Sequence, residues 1–438
     1  MTCYDFLCSL SARHPQGMQK GIYSVCTTHP LVLDAALLRV RRGERIIIET
    51  TANQVNQFGG YTGMTAKDFL GRVRARALQL DAPLDHVVFG SDHAGPFPWR
   101  TEPASMAMEK ARGLVAESVL AGYSKIHLDA SMHLADDPGD RSLPLDPRIG
   151  AQRTAELCKV AEDSWTCLRS QGKDTPAPLY VIGTDVPAPG GTESGAADPK
   201  VTLPDELERT VEVCREAFQA QGLEEAWDRV IAVVVQPAVE HGESNVHRYT
   251  RDKVRSLVEA RRTMCARIVF EAHATDYQTA KALREMVQDD FSILKVGPSL
   301  TGAVREALFL MDHIEEALVA LHPGFSLSKV AETLEKAMLA NPSHWRSYYQ
   351  GDEAKVSFLR KYGLSDRCRY YWGAPSVNAA IERMMNNLRS MDIPMALMNQ
   401  YFPRQSSRIQ EASLDPDPES IIRAQINEVL EKYGAAVS

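Results

Sequence analysis

Two histidines and a group of carboxylates follow short apolar runs of the sequence, and side chains of these types can bind a divalent metal. His93 directly follows Asp92 in the string GSDHAGP, and His273 follows Glu271 by two residues in EAHATDYQT. A divalent metal in a protein takes about three or four His, Asp or Glu ligands that converge on one point. We therefore predict a divalent metal, with zinc as a candidate, bound by His93, His273, Glu271 and Asp129. A hydrogen-bonded polar layer without a metal would use the same residues.

Carboxylates near a metal can also move protons, and a desolvated lysine can act as a nucleophile. We predict catalytic roles for Asp92, Asp129, Glu271 and Lys295. Three uses of Lys295 are open: a Schiff base with the substrate, a bond to a phosphate, or an ion pair with Glu271. The sequence favours the last two.

Two glycine-containing segments are candidates for binding phosphate. Residues 59–63 read GGYTG, and residues 297–301 read GPSLT. Backbone amides of a glycine-rich turn, or of a helix N-terminus, can bind an anion. Other polar side chains after apolar runs are candidate substrate ligands. The predicted substrate and phosphate ligands are Glu49, Asn53, Gln57, Gly59, Gly60, His127, Asp185, Gln236, Gly297, Ser299 and Thr301.

Eight short apolar runs must position these residues, and longer amphipathic segments separate the runs. Strands that are buried on both faces have this continuous apolar character. Eight β-then-α units in about 300 residues fit one closed parallel barrel, although an open doubly wound sheet fits the same alternation. We predict a (β/α)8 TIM barrel over residues 15–320. The predicted strands are residues 22–25, 45–49, 87–89, 125–128, 179–182, 230–235, 268–270 and 293–296.

A barrel would bring the predicted site residues to one rim, because active residues lie at the C-terminal ends of the strands. Alternate residues of a strand share a face, so Glu271 and His273 point the same way, as do His127 and Asp129. The long polar connections at 132–148 and 187–203 are candidate lids.

The β-rich runs stop near residue 320. Residues 326–340, 376–390 and 418–433 have helical patterns. We predict a helical extension over residues 321–438 that packs on the barrel.

The composition disfavours several classes of partner. The net charge is −8, from 49 Lys and Arg against 57 Asp and Glu, and nucleic acid or an acidic membrane would need a basic surface. Eight scattered cysteines without a CxxC pair indicate reduced thiols, and the N-terminus lacks the pattern of a secretory signal. The strongest apolar run has six residues, whereas a membrane helix needs about 20. We predict a cytoplasmic protein without a membrane or nucleic-acid partner.

Nucleotide-binding motifs are absent from the sequence. It contains no GxxxxGK[ST] loop, no GxGxxG after a strand and no GxSxG nucleophile motif. We therefore predict neither ATP nor NAD as a cofactor.

Eight strings resemble the Z-type subunit of class II D-tagatose-1,6-bisphosphate aldolase, in that family's order, over roughly residues 15–430. The strings are ETTANQVNQFGGYTGMT, GSDHAGP, KIHLDASM, VIGTDVPAPGG, VVVQPAVE, EAHATDYQT, ILKVGPSLT and LSDRCRYYW. The resemblance implies a (β/α)8 barrel and a role in tagatose or galactitol catabolism. Asp92-His93 also resembles the Asp-His pair of catalytic class II aldolases, in which the His binds zinc and the Asp handles the C4 hydroxyl proton. The other candidate ligands of this chain are spaced differently.

The resemblance leaves two functions open. Some members are described as non-catalytic subunits that stabilise a separate class II aldolase subunit, and others epimerise ketohexose 6-phosphates at C4. Relatives are also labelled tagatose 6-phosphate kinase, which the missing ATP motifs disfavour. Because polar residues follow nearly every predicted strand, we expect an enzyme. The resemblance implies that it acts on a ketohexose phosphate, and we expect a metal-assisted tagatose 6-phosphate 4-epimerase. The alternative is the non-catalytic partner.

Overall fold

Eight parallel strands close into a barrel in this computed structural model, which describes residues 1–10, 20–183, 199–264 and 267–438. A short antiparallel pair, β7 (Glu240–His241) and β8 (Val246–His247), lies in the connection after the sixth barrel strand. The barrel strands are β1 (Ile22–Val25), β2 (Ile46–Thr51), β3 (Val87–Ala94), β4 (Lys125–Leu128), β5 (Leu179–Ile182), β6 (Val230–Val234), β9 (Val269–Ala272) and β10 (Phe291–Val296).

The pairing of β1 with β10 closes the barrel, with Ile22 opposite Ile293 and Val25 opposite Val296. This confirms the predicted (β/α)8 barrel and excludes the open sheet, whose first and last strands would not pair. Two strands run further than predicted. β2 and β3 stay paired as far as Thr51 and Asp92, beyond the apolar runs that predicted them. Asp92 and His93 therefore lie within β3 rather than after it.

Helices surround the barrel and form the C-terminal part of the chain. Proline occupies the first position of several helices, where its missing N–H leaves no bond unmade. None of the helices in the described part of the chain combines the length and apolar character that crossing a membrane requires. The α-helices are α1 (Cys3–Leu10), α2 (Pro30–Arg41), α3 (Ala66–Gln79), α4 (Ala104–Ala121), α5 (Pro147–Ser170), α6 (Pro204–Ala220), α7 (Glu224–Trp227), α8 (Arg251–Met264), α9 (Ala280–Gln288), α10 (Pro298–Val319), α11 (Val330–Ala340), α12 (Glu353–Tyr362), α13 (Pro375–Met391), α14 (Met395–Tyr401), α15 (Pro403–Gln410) and α16 (Pro418–Val437). Short 3-10 helices are Gly60–Thr62, Leu84–His86, Phe97–Trp99, Pro342–His344 and Arg367–Tyr371.

The N-terminal helix α1 packs into the inside of the barrel. Its buried residues Cys3, Leu7 and Leu10 join an apolar cluster with the inward side chains of the strands, among them Ile47 and Val88. Because α1 also contacts the start of β3, it lies at the N-terminal end of the barrel. The opposite end, where the polar residues gather, is left for the site.

The C-terminal helix α16 packs against α2, α9, α10 and β1. The Tyr433 ring lies 6.0 Å from the Tyr23 ring of β1, and the Tyr433 hydroxyl donates to the Thr275 carbonyl at 2.9 Å. The division of the chain at residue 320 stays a prediction.

Candidate active site

A buried charged layer crosses the barrel interior, with Glu49 of β2 at its centre. Its Oε1 atom accepts from Lys125 Nζ at 2.7 Å, and its Oε2 atom accepts from Ser24 Oγ at 2.5 Å. Lys295 Nζ also donates to Glu49 Oε2. Gly90 makes room for this carboxylate, because a Cβ there would lie 2.6 Å from Glu49 Oε1. The predicted substrate ligand Glu49 is therefore fully engaged within the protein.

Two lysines join this layer to the other buried carboxylates. Lys295 Nζ lies 2.7 Å from Asp92 Oδ1 and 3.6 Å from Glu271 Oε1, and Lys125 Nζ lies 2.7 Å from Glu271 Oε2. Burial would lower the pKa of Lys295, but Asp92 and Glu49 outweigh it and raise that pKa well above its usual value. An ammonium group cannot attack a carbonyl, so the structure favours ion pairing for Lys295 over a Schiff base.

Three imidazole rings and one carboxylate lie together above the charged layer. The ring centroid of His93 is 4.8 Å from that of His127 and 4.9 Å from that of His273, and His127 and His273 are 5.2 Å apart. One donor atom from each of these rings, with a carboxylate oxygen of Asp92, lies within 4.8 Å of the others. Three nitrogen donors and one oxygen donor suit zinc and similar divalent ions. This donor set fits the predicted metal.

Both the ring and the backbone of His93 are held in place by hydrogen bonds. His93 Nδ1 lies 2.7 Å from Asp129 Oδ2, and the other oxygen of Asp129 accepts from Ser131 Oγ at 2.6 Å. The backbone of His93 has a φ of +47°, and its N–H donates to His127 Nδ1 at 3.2 Å. A non-glycine residue in this left-handed region is uncommon, and such strain persists where the surroundings fix it.

The predicted metal ligands do not all fall in this group. Asp129 bonds to His93, and Glu271 Oε1 lies 3.0 Å from His273 Nε2, so each carboxylate orients a histidine. Such carboxylate–imidazole pairs are common around metal-binding histidines. Glu271 instead forms a separate group of carboxylates with Glu49 and Asp92. His127, which was predicted to bind substrate, is instead the third imidazole of the possible metal-binding group.

The charges of the group are set by burial and by the neighbouring ions. Burial would raise the pKa of Asp92, but Lys295 and His93 outweigh it and hold that pKa well below its usual range. Burial lowers the pKa of His273 to about 4, with Glu271 opposing the change. At neutral pH, Asp92 is therefore an ionised base and His273 a neutral imidazole. A neutral imidazole is the form that binds a metal.

A pocket of about 430 Å³ opens above this group, and Asp92, His93, His273 and Lys295 line it. Its other walls come from loops after the barrel strands and from the segment between α11 and α13. No residue of the candidate lid at 132–148 lines the pocket in the described part of the chain. The C-terminal segment covers it instead, through residues that include His344, Tyr348, Ser365, Arg367, Arg369 and Tyr370.

The loop at residues 297–301 is already occupied by a carboxylate of the protein. Asp276 Oδ1 accepts from the amides of Gly297 at 3.1 Å and Ser299 at 2.7 Å, and from Ser299 Oγ at 2.6 Å. Thr301 Oγ1 donates to the Pro298 carbonyl at 3.3 Å. A phosphate here would have to compete with a buried carboxylate, so the structure does not favour the predicted use of this loop.

The glycine-rich loop after β2 also satisfies its own amides. Gly59 donates to the Asn56 carbonyl at 2.9 Å, Gly60 to Asn56 Oδ1 at 3.1 Å, and Tyr61 to the Asn53 carbonyl at 3.0 Å. Gly60 is required because a Cβ there would meet the Gln54 carbonyl oxygen at 2.4 Å. The glycines therefore allow a tight self-bonded turn, and the predicted amides of Gly59 and Gly60 are not available to a phosphate.

The remaining predicted ligands lie in different places. Asn53 lines the pocket, whereas Gln57 Nε2 donates to the Lys110 carbonyl at 2.8 Å. Gln236 Oε1 accepts from the amide of Val239 at 3.0 Å and is not part of the pocket wall. Asp185 lies outside the described residues.

Sequence reasoning missed Lys125, the second ammonium of the charged layer, and the arginines of the C-terminal segment. The only signal for Lys125 was a lysine that opens an otherwise apolar predicted strand. The string LSDRCRYYW carries the arginines, but nothing in its spacing indicates that it covers the barrel.

Comparisons with known proteins agree with this architecture. The family model described as D-tagatose-1,6-bisphosphate aldolase subunit GatZ/KbaZ-like matches residues 7–438. A crystal structure described as a probable tagatose 6 phosphate kinase from Sinorhizobium meliloti 1021 is 39% identical, with a TM-score of 0.84 over 95% of this chain and 100% of that chain.

More distant structures share less. The YdjI aldolase from Escherichia coli K12 is 11% identical, with a TM-score of 0.38 over 86% of this chain and 94% of that one. The fructuronate-tagaturonate epimerase UxaE from Cohnella laeviribosi is 12% identical, with a TM-score of 0.42 over 98% and 84%. Similarities this low carry no argument about function. The family match and the 39% identical structure both span nearly the whole chain and confirm the resemblance. The chain belongs to the D-tagatose-1,6-bisphosphate aldolase subunit GatZ/KbaZ-like family.

Proposed function

We propose that this chain is a cytosolic enzyme that epimerises tagatose 6-phosphate at C4 through a metal-assisted retro-aldol reaction. The observation that carries the proposal is the set of three imidazoles next to an ionised Asp92 and a charged Lys295, at the floor of a pocket. A protein that only stabilises a partner needs no such arrangement. Burying these charges costs free energy, and that cost is typical of functional sites.

His93, His127 and His273 would hold the metal, and Asp92 beside them would remain available as a base. A divalent ion bound there would polarise the C2 carbonyl of the sugar and stabilise negative charge on its oxygen. Asp129 and Glu271 would keep His93 and His273 in orientation, as their hydrogen bonds indicate.

Asp92 is the proposed base, because it lines the pocket and is held ionised by Lys295. Asp129 is less suited, since its oxygens are engaged by His93 and Ser131. Asp92 accepts the proton of the C4 hydroxyl, and the C3–C4 bond breaks. C4 becomes an aldehyde, and the bonding electron pair passes through C3 into the C2 carbonyl as an enediolate.

Epimerisation then requires that the aldehyde stays in the pocket. It turns, the C3 electron pair attacks its opposite face, and the proton returns to the C4 oxygen, so that C4 is inverted. The C-terminal segment that covers the pocket would retain the aldehyde and exclude water. Escape of the aldehyde would turn the same chemistry into an aldolase reaction.

A non-catalytic role is the second candidate, and the family description of a subunit supports it. In that case the chain would stabilise a separate class II aldolase subunit. Transfer of phosphate from ATP is disfavoured, because the sequence has no phosphate-binding loop of the ATP-dependent type.

Turnover by the purified chain alone tests the proposal. Zinc, manganese or magnesium is added with tagatose 6-phosphate or tagatose 1,6-bisphosphate, without ATP. Fructose 6-phosphate that disappears on chelation supports the epimerase, and triose phosphates would indicate an aldolase. Product that appears only after addition of an aldolase subunit would support the non-catalytic role. His313→Ala, at an exposed histidine outside the pocket, is the control for His93→Ala.

A further inference from the structure

A phosphorylated substrate needs donors for its phosphate, and the two glycine-containing loops at residues 59–63 and 297–301 do not offer their amides. The amides of Gly297 and Ser299 already bind Asp276, and those of Gly59 and Gly60 already bind within their own loop. A phosphate carries about two negative charges and is usually bound by several charged or amide donors. Within the described part of the chain, we therefore look for these donors among the side chains of the pocket wall.

The C-terminal segment supplies positive charge to this wall. Arg367 and Arg369 line the pocket, and no carboxylate of the segment does so in the described part of the chain. The nearest carboxylate in sequence, Asp366, is paired with Arg305 Nε at 2.7 Å. The acidic residues of the pocket, Asp92, Glu240 and Asp276, come from the barrel strands and their loops.

Arg369 is the group best placed to take an external anion. Its Nη1 atom donates to the carbonyls of Ser365 and Asp366, and its Nη2 atom donates to the Tyr370 hydroxyl at 3.0 Å. Within residues 1–10, 20–183, 199–264 and 267–438 it forms no ion pair with a carboxylate. These contacts hold the side chain through neutral groups, so its guanidinium is positioned without a direct carboxylate partner.

Aromatic rings pack around Arg369, and the two arginines make this part of the pocket wall positively charged. The His344 ring stacks on Tyr370 at 4.6 Å, and the Tyr61 ring meets Tyr370 at 4.7 Å. Burial would raise the pKa of Tyr370, but Arg369 and Arg367 lower it. Arg367 is more deeply buried, with its guanidinium carbon 3.3 Å from the centre of the Tyr348 ring. Arg367 thus adds positive charge while it packs the segment together.

We infer that Arg369, supported by Arg367, binds the phosphate group of the substrate at the covered end of the pocket. The identity of the sugar in this inference rests on the proposed function, whereas the binding of a phosphate by Arg369 does not. The subsite gives the C-terminal segment a role in specificity: it selects a phosphorylated ketose over the free sugar. The imidazole group with a bound metal would hold the other end of the same substrate.

Binding of inorganic phosphate to the purified chain tests the subsite without any turnover. The titration is made with EDTA present, so that phosphate cannot report on a bound metal. We expect Arg369→Met to weaken phosphate binding by roughly tenfold or more, as removal of a charge-assisted contact does. Arg369→Lys should restore part of the loss. Arg346→Met, an exposed arginine of the same segment that does not line the pocket, should have no effect.

Kinetics then separate the subsite from the proposed reaction. With tagatose 6-phosphate, Arg369→Met should raise KM roughly tenfold and leave kcat nearly unchanged, whereas turnover of free tagatose should be unaffected. Phosphate binding that is equal in Arg369→Met and the unmodified chain, or absent from both, would overturn the subsite. Phosphate binding that is lost in Arg369→Met, in a chain that turns over neither sugar, would keep the subsite and reject the epimerase.

Discussion

Asp92 Oδ1 lies 2.7 Å from Lys295 Nζ, and both residues line the pocket. The ammonium is the largest of several neighbours that stabilise the charged form of this buried carboxylate and lower its pKa. This pair couples the charged layer inside the barrel to the group that we propose as the base. The two residues can be tested separately, because Asp92 is the proposed proton acceptor and Lys295 stabilises the negative charge of Asp92.

Replacement of Asp92 by asparagine should abolish most of the turnover. The amide has nearly the same shape but cannot accept the proton, so we expect kcat to fall by about 10²- to 10⁴-fold. The measurement is the rate of fructose 6-phosphate formation from tagatose 6-phosphate. Asp252→Asn, at an exposed position of α8, serves as the control. Asp92→Asn with a rate within a few fold of the unmodified chain would exclude Asp92 as the base.

Replacement of Lys295 by methionine should change the pH dependence of turnover. Without the ammonium, the pKa of Asp92 should rise, because the largest cause that lowers it is removed while burial still raises it. The base is therefore protonated at a higher pH, and the acid limb of the kcat profile should move upward. Lys125 still pairs with Glu49 in this variant, which preserves part of the charged layer. An unshifted acid limb would show that Lys295 does not set the charge of the base.

Metal content should distinguish the imidazole group from the set of ligands predicted from sequence. We expect His127→Ala to lose bound zinc as completely as His93→Ala and His273→Ala, because metal binding would exchange the contact of His127 Nε2 with the Gly183 carbonyl, now 2.9 Å, for a bond to the ion. Asp129→Asn should weaken binding less, by roughly 10- to 100-fold, since Asp129 orients His93. Zinc per chain is measured by mass spectrometry after dialysis against a graded chelator, with His313→Ala as control. Full zinc content in His127→Ala would show that His127 is not a ligand and would favour the set predicted from sequence.

The sequence was sufficient to predict the barrel and to identify several residues that line the pocket. Strands buried on both faces are apolar throughout, so the eight runs stood out, and Asp92, His93, His273 and Lys295 followed from the strand ends. β3 was predicted to stop at residue 89 because polar residues follow, although its pairing continues to Asp92. The register of the strands decides which side chains meet across the barrel, and the sequence does not give this register. His127 was therefore predicted to bind substrate and Asp129 to bind the metal.

The cover of the pocket could not be predicted in the same way. Arg369 lies in a short 3-10 helix, Arg367–Tyr371, which has no periodic pattern. The prediction of phosphate binding by the glycine-rich loop failed to anticipate its internal hydrogen bonds. Composition shows that a tight turn is possible, but not whether its amides are already bonded. The predicted ligand Asp185 remains untested by the described residues.

Stability should depend on the N-terminal helix that closes the bottom of the barrel. Leu7 of α1 is fully buried among apolar strand residues, so Leu7→Ala should lower the free energy of unfolding by about 2–5 kcal/mol. Leu78→Ala, at an 81% exposed leucine of α3, should change it by less than about 0.5 kcal/mol. Urea unfolding followed by circular dichroism measures both variants. Equal midpoints would mean that α1 does not contribute to the barrel core.

The carboxyl group of Glu240 should make the protein less stable as the pH rises. Glu240 lines the pocket and accepts the His241 amide at 3.0 Å, and burial together with the nearby Asp276 raises its pKa to about 7. The folded chain therefore binds a proton that the unfolded chain releases above about pH 4.5, and this contribution is lost as the pH passes 7. Glu240→Gln keeps the acceptor oxygen and removes the charge. It should match the unmodified chain in urea unfolding at pH 5 and exceed it by on the order of 2 kcal/mol at pH 8. Asp205→Asn, at an exposed carboxylate, is the control, and a difference that does not grow between the two pH values would show that Glu240 is ionised throughout.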